Sequence, residues 1–588
     1  MRTRGIDVQD IVGPGRAVGI VGLGKVGEAL LSMVAAIGCP VIGVDHDPDV
    51  IARVEQRLKR RDIDETGESA SRTLTTEITA LDDVGVVMEA VAEDLAAKRD
   101  VLRRLRQVCP PDTAIVTTAS SLPLFPLTTA AGCPGRIAGL RLLRPPAVGR
   151  HAEVVRTSLT SDEAVDVAER LATVIGLECV VLGRQASDFA TRLVYPFLNR
   201  AAAMVAEGFA SPRDIDTAMR LGCGLPSGPL ELIEELGVDE VHSYLESHWN
   251  RTGEEAFRPV PLLTSMLRRG IPARRTGQGF HGYDMQGLPG ERTSVERGRT
   301  GSPSTGEAIG HVGVFGSGTM ARGIAEVCAA SGHRVTLVAR NTDKARSAAA
   351  GIEASLVKAV RRGRITPARK KEASAALATV DDVSALSGCD LVIEAVAENL
   401  QIKRAVFARL GAVCRSGAIL ATTTSSLSVA ACTAPAGRPG ETLGLHFFNP
   451  APVMKLVELV RTPDTAEHVM DVGREFCADL GKVAVACSDR AGFIVNRLLF
   501  PYLADAVRLL DDAALDIGAL DTAVEQGFGY PMGPFTLLDT IGLDVSLAIL
   551  ERLHAEFPEA GCEPPTVLRE LVGGGHLGRK AGRGLRRA

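Results

Sequence analysis

The chain has 588 residues, 45% of them hydrophobic and 23% charged, with a formal net charge of −5. That length exceeds one core and, at about 150 residues per domain, predicts roughly four domains. The negative balance argues against a nucleic-acid binder, no apolar run approaches the roughly 18 residues of a membrane span, and 12 cysteines scattered without a CxxC pair or histidine spacing predict reduced thiols and no metal site.

The first stretch, MRTRGIDVQDIVGPGRAVGIVGLG, has early acids and no long apolar core, so a cytoplasmic chain is expected. From Ala17, AVGIVGLGKVGEALLSMVAAIG predicts strand, glycine turn and helix, and VIGVDHD a second strand, completing a βαβ unit. Gly22, Gly24 and Gly27 make a GxGxxG turn, and Asp45 ends the second strand, where a carboxylate can hold the ribose 2′-OH of NAD. Later runs such as VVMEAVA and AIVTTASS extend a parallel sheet, and from about Asp188 the pattern is mainly helical. DMQGLPGERTSVERGRTGSPSTGEA, rich in Gly, Ser, Pro and Arg, predicts a solvated linker.

The chain then repeats itself. MEAVAEDLAAKRDVLRRLRQVCPPDTAIVTTASSL matches IEAVAENLQIKRAVFARLGAVCRSGAILATTTSSL, and GLPSGPLELIEELG matches GYPMGPFTLLDTIG. Glu93 and Glu398, Ser120 and Ser425, Glu153 and Glu458, and Arg275 and Lys580 are each 305 residues apart, whereas Gly22 and Gly316 are 294 apart, so the second copy carries 11 extra residues after its glycine turn. The expected architecture is an α/β Rossmann domain plus an all-α C-terminal domain, the pair duplicated in tandem. Its boundaries are 16–186 for a degenerate Rossmann copy, 187–284 helical, 285–308 linker, 309–488 for the second Rossmann domain and 489–588 helical.

The second glycine turn keeps Gly316 and Gly318, followed by Thr319 and Met320, as candidate cofactor contacts, but Ala321 holds the third position, and Ala339 then Arg340 stand where the acid belongs. Losing the carboxylate removes its repulsion of a 2′-phosphate, and Arg340 can pair with one, so NADP is the expected cofactor of this half, with weakly discriminated NAD as the alternative. Further on, His446 is a candidate acid/base, since an imidazole exchanges protons near neutral pH, and Glu458 could supply the carboxylate that orients it, on a strand returning beside the loop.

TSSL, GLHFFNP, VMKLVE, GFIVNRLL, GYPMGPF and GRKAGRG occur in this order, and residues 309–584 resemble the 3-hydroxyacyl-CoA dehydrogenase family. The resemblance implies hydride transfer between NAD(P) and the 3-hydroxy or 3-keto group of an (S)-3-hydroxyacyl-CoA. It implies His446 as acid/base, Glu458 as its partner, Ser425 and Asn496 as donors around the substrate's 3-oxygen and thioester, and Glu398, Lys403, Asn449 and Lys580 along the cofactor. Thr423 departs from the family's usual Asn. IEASLVKAVRRGRITPARKKEASAAL resembles the family's CoA-covering arm, with Ser355 and Arg362, seven apart on one helix face, at positions that would meet CoA phosphates. A biosynthetic thioester on an acyl carrier protein is an alternative substrate, and a non-catalytic nucleotide-binding protein an alternative function. In the first copy Arg141, Arg144 and Thr191 replace His446, Asn449 and Asn496 while Ser120, Glu153, Glu93 and Lys98 persist, so that copy is expected to be inactive as a dehydrogenase and to serve as a scaffold, with a regulatory NAD site as the alternative. Single-copy members pair through their helical domains, so the two halves are expected to mimic such a dimer within one chain, further oligomerisation remaining open.

Overall fold

Apolar, largely β-branched runs build two sheets of eight strands each. The computed structural model describes residues 9–62, 71–119, 122, 124–142, 151–157, 159–181, 189–269, 279–282, 309–511, 516–558 and 561–586; the expected linker 285–308, Ser120, Arg144 and Arg275 lie outside them. The first sheet holds β1 (Ala17–Val21), β2 (Val41–Val44), β3 (Arg72–Thr75), β4 (Val84–Glu89), β5 (Ala114–Thr117), β6 (Ile137–Leu142), β7 (His151–Val155) and β8 (Glu178–Val181). The second holds β9 (His311–Phe315), β10 (Arg334–Val338), β11 (Leu377–Val380), β12 (Leu391–Glu394), β13 (Ile419–Thr422), β14 (Thr442–Phe447), β15 (Leu456–Arg461) and β16 (Val483–Ser488). The strand orders are the same, β3-β2-β1-β4-β5-β6-β7-β8 and β11-β10-β9-β12-β13-β14-β15-β16. Strands such as β12 and β13 are buried throughout because helices cover both faces.

The sheets are not wholly parallel as expected: β6–β7 and β14–β15 are antiparallel. Only residues 448–455 join β14 to β15, and a parallel crossover needs a dozen or more. The short return places His446 directly opposite Glu458 in register.

After each sheet the chain is mainly helical, beginning with Phe189–Ala206 and Val495–Arg508. One apolar core takes residues from both helical regions, among them Phe197, Leu198, Leu498, Tyr502 and Leu503, and reaches Leu456 and Val460 of β15. Among the described residues no helix is long and apolar enough to cross a membrane.

The contact between the copies has pseudo-two-fold character. Phe197 and Tyr502, 305 residues apart, meet with ring centroids 5.6 Å apart, and Arg200 and Asp505, also 305 apart, pair at 2.6 Å. A Cβ on Gly224 would lie 3.3 Å from Pro531, and one on Gly529 would lie 3.3 Å from Pro226, the same contact made twice. Such reciprocity is the mark of an isologous interface. The Arg200 and Asp505 side chains are only 15% and 17% exposed. Asp505→Ala is therefore expected to cost about 1–3 kcal/mol by stranding Arg200, and adding Arg200→Met to recover part of that loss, both read from urea unfolding.

Candidate functional site

The site begins with a pair set by sheet register. His446 Nδ1 lies 2.6 Å from Glu458 Oε2, and both side chains are buried. The other Glu458 oxygen accepts the backbone N–H groups of Ile494 and Val495 at 3.0 and 2.9 Å. Those amides open the helix Val495–Arg508, which has no side-chain cap of its own. The carboxylate thus caps a helix of the next domain, where the dipole favours negative charge. The backbone is bent to allow it: Gly492 has φ 76° and Phe493, a non-glycine, φ 49°, a left-handed conformation costing of order 1–3 kcal/mol. Phe448 and Phe493 flank the imidazole, with centroids 4.6 and 5.7 Å away. With Nδ1 engaged, the ring's other nitrogen is the one able to exchange a proton with a ligand.

Ser425 and Asn496 stand together, Asn496 Nδ2 donating to the Ser425 carbonyl at 3.3 Å. The TSSL turn is fastened by Glu398, whose Oε1 accepts Thr424 Oγ1 at 2.7 Å, Ser425 N at 2.9 Å and Ser425 Oγ at 3.1 Å. Beneath it, fully buried Glu394 accepts Lys403 Nζ at 2.9 and 3.0 Å and Thr422 Oγ1 at 2.7 Å. Lys403 is 1% exposed and reaches Glu398 at 3.5 Å, so its ammonium supports the turn from below. Burial alone would push the Glu398 carboxyl up, but the Lys403 ammonium and the bonds from Thr424 and Ser425 hold it below the usual carboxylate range. Arg552, which no local sequence pattern marks, reaches across from the helical domain to Ser426 Oγ at 2.7 Å and the Glu398 carbonyl at 3.4 Å. Thr423 continues the ladder, donating its N–H to the Glu394 carbonyl at 3.0 Å.

The second glycine turn suits a dinucleotide. At Gly316, φ is 140° and a Cβ would fall 2.4 Å from the Ala395 carbonyl oxygen, whereas a Cβ on Gly318 would meet nothing within 4 Å. The helix Thr319–Ser331 starts there without a side-chain cap, leaving N–H groups for an anion, with Thr319 exposed and Met320 half-buried in its first turn. Ala321 fits buried at the third position. Ala339 is buried and Arg340 exposed beyond β10, Arg340 having no ion pair among the described residues. Lys580 lies in the helical domain, on both oxygens of Asp544 at 2.5 Å.

A cavity of about 490 Å³ separates the Thr319–Ser331 helix from the arm helix Thr342–Arg361, and Ser355, Arg362 and Asn449 all line it.

The first copy keeps the frame without the histidine. Arg141 faces Glu153 in the same register, its guanidinium 3.6 Å from the carboxylate and both buried, and Thr191 is buried at the position of Asn496. Glu93 accepts Leu122 N at 3.2 Å, and the knot of Lys98, Glu89 and Thr117 reproduces that of Lys403, Glu394 and Thr422. In its glycine turn a Cβ on Gly27 would strike the Gly22 carbonyl at 1.8 Å while Gly24 stays open, and Asp45 is buried, accepting Leu23 N at 2.7 Å and Asp47 N at 3.0 Å.

Because the folded Glu398 pKa is depressed, its contribution to stability is present above the unfolded value near 4.5 and is lost as pH falls through the folded one. Glu398→Gln should lower stability at neutral pH, and its deficit against the parent should shrink below about pH 4.5; unfolding midpoints measured from pH 7 to pH 3 test this.

Comparison with known proteins gives one consistent result. A domain family described as 3-hydroxyacyl-CoA dehydrogenase, NAD binding domain, matches residues 17–185 and 311–490, and its partner, described as 3-hydroxyacyl-CoA dehydrogenase, C-terminal domain, matches 189–283 and 492–588. The mitochondrial hydroxyacyl-coenzyme A dehydrogenase of Mus musculus is 42% identical over 285 residues, 47% of this chain and 90% of that protein. The 3-hydroxybutyryl-CoA dehydrogenase of Mycobacterium tuberculosis (strain ATCC 25618 / H37Rv) is 42% identical, over 47% of this chain and 98% of that one. The 3-hydroxyadipyl-CoA dehydrogenase of Escherichia coli (strain K12) is 43% identical over 275 residues, 47% of this chain but only 58% of that one. The crystal structure of 3-hydroxybutyryl-CoA dehydrogenase from Escherichia coli K12 substr. MG1655 superposes over 95% of this chain and 99% of its own with a TM-score of 0.63 at 20% identity, a likeness of fold.

Proposed function

Because the chain belongs to the 3-hydroxyacyl-CoA dehydrogenase family, we propose that it interconverts an (S)-3-hydroxyacyl-CoA and its 3-ketoacyl-CoA, and that the second half alone carries the chemistry. The observation that carries this reading is the His446–Glu458 pair at 2.6 Å, against Arg141 and Glu153 in the same register of the first half. A guanidinium keeps its proton near neutral pH, whereas an imidazole does not.

A nicotinamide dinucleotide, when bound along Gly316, Gly318 and the open end of the Thr319–Ser331 helix, supplies or accepts the hydride at the substrate's C3. In reduction, His446 gives a proton from its free ring nitrogen to the C3 oxygen; in oxidation it takes that proton from the hydroxyl. Glu458 orients the ring through Nδ1 and stabilises its protonated form, itself held by the Ile494 and Val495 amides. Asn496, whose amide nitrogen has a second hydrogen beyond the one given to the Ser425 carbonyl, stands as a donor to the oxygen that gains charge, the Ser425 hydroxyl joins it by turning from Glu398, and donors placed in advance lower the barrier. The Glu398 and Lys403 network keeps that turn in place. Ser355 and Arg362, on one cavity, support CoA as the carrier group.

For the cofactor, the absence of a carboxylate at Ala339 and an exposed Arg340 with no ion pair among the described residues support NADP. Acetoacetyl-CoA and a longer 3-ketoacyl-CoA, each assayed with NADH and NADPH, test substrate and cofactor together. NADPH should be preferred, and Arg340→Ala should raise its KM roughly 10–100-fold while sparing NADH. A strong NADH preference in the parent would refute the cofactor reading. His446→Ala should lower kcat by about 10²–10⁴-fold, and an unaltered rate would sink the catalytic reading.

A further inference from the structure

The helix Thr319–Ser331 turns Arg322, Gly323, Glu326, Val327 and Ala330 to the cavity of about 490 Å³, at the spacing of one helix face. Arg322 is held there by clearance. Gly351 lies inside the 20-residue arm helix, where glycine costs about 1 kcal/mol relative to alanine, and a Cβ at that position would fall 2.4 Å from Arg322 Nη1 and 3.2 Å from its Cδ. The arm therefore gives up a side chain where the guanidinium passes.

Among the described residues nothing satisfies the head it admits. Arg322 Nε is buried without a hydrogen-bond partner, and among the described residues Arg322 has no ion pair, although Glu326 lies one turn along the same helix. Glu326 is the only carboxylate among the described residues on the lining, and burial pushes it up while its hydrogen bond is with Ser355. Lys358, Arg362 and Arg364 share the lining, and Lys482 spends its ammonium on the Ala451 and Met454 carbonyls. The cavity is thus positively biased, with a planar, prepositioned fork of donors that matches phosphate oxygens.

We propose that Arg322 is a specificity-determining residue that binds a phosphate of the substrate's CoA group, so that the site discriminates CoA thioesters from thioesters lacking the nucleotide. The proposal rests on the acyl-CoA reading above. It adds a contact from the Rossmann helix, on the wall opposite Ser355 and Arg362, so the nucleotide would be gripped from both sides.

The test compares kcat/KM for acetoacetyl-CoA with that for acetoacetyl-N-acetylcysteamine, a thioester with the same reacting group and no phosphate. In the full-length parent the CoA thioester should be favoured, and Arg322→Met should cut that ratio roughly 10–100-fold, the change appearing in KM for acetoacetyl-CoA. Arg322→Lys should restore part of the ratio, since a point charge remains. Gly351→Ala, which favours the helix but pushes a Cβ into the guanidinium's place, should shift the ratio in the same direction and covers the case in which Arg322→Met fails to fold. A ratio unchanged in both Arg322→Met and Gly351→Ala, or a rise in the KM of the nicotinamide cofactor instead, overturns the proposal while leaving the dehydrogenase reading intact. Failure of the parent to turn over either thioester overturns both.

Discussion

A carboxylate with no exposure to water sits where the two domains of the second half meet, and the geometry of the site follows from satisfying it. Glu458 is an expensive group to bury unless every lone pair is used. One oxygen takes the imidazole of His446 and the other takes two amides at the head of the Val495–Arg508 helix. Those bonds come from different domains, so the charge that orients the histidine also fixes the start of the helix that carries Asn496. The left-handed turn at Gly492 and Phe493 is tolerated because it delivers those amides. Orientation of His446 and docking of the domains are therefore a single constraint.

The first half shows which parts of this arrangement are structural. Its knot of Lys98, Glu89 and Thr117 matches that of Lys403, Glu394 and Thr422 nearly atom for atom, and Arg141 meets Glu153 in the same register as His446 and Glu458. A guanidinium faces the buried carboxylate where the second half has an imidazole N–H, so the sheet survives the exchange. What it loses is a proton that can leave near neutral pH. The fold thus needs a cation or donor opposite the buried glutamate, and only a histidine there adds a proton that exchanges near neutral pH.

Much of this was legible in the sequence because it is periodic or repeated. The constant 305-residue offset aligns His446 with Arg141 from the sequence alone, and the glycine turns lie where strand and helix patterns place them. The antiparallel return at β15 was not legible, because periodicity gives a strand's faces and not its direction; the eight-residue connection decides that. Glu398 and Lys403 were singled out, but their task of fastening the TSSL turn arises from contacts that no local spacing encodes. Arg552 was missed for the same reason, lying 126 residues from the Ser426 hydroxyl it meets and looking in sequence like any cation on a solvated helix face.

The pseudo-two-fold interface shows what fusing two copies makes possible. In a symmetric homodimer a residue near the axis meets itself, so an arginine at this position would face an arginine and an aspartate an aspartate. Here equivalent positions hold Arg200 and Asp505 and pair at 2.6 Å, while Phe197 meets Tyr502. Neither copy paired with itself could make that ion pair, and the like charges would repel in a partly desolvated setting. Covalent duplication let the two copies diverge at the axis as they diverged at the register pair, so that each half is complementary to the other and not to itself. The first half, though it lacks the histidine, is in this sense a fitted partner: its Pro212–Cys223 helix packs on β15 and β16 of the second sheet, where Gly222 would bring a Cβ to 3.0 Å from both Leu456 and Val495. Leu456 opens the strand that bears Glu458, and Val495 supplies one of the amides that hold it. The copy with Arg141 in place of the histidine therefore packs directly behind the elements that hold Glu458 against His446.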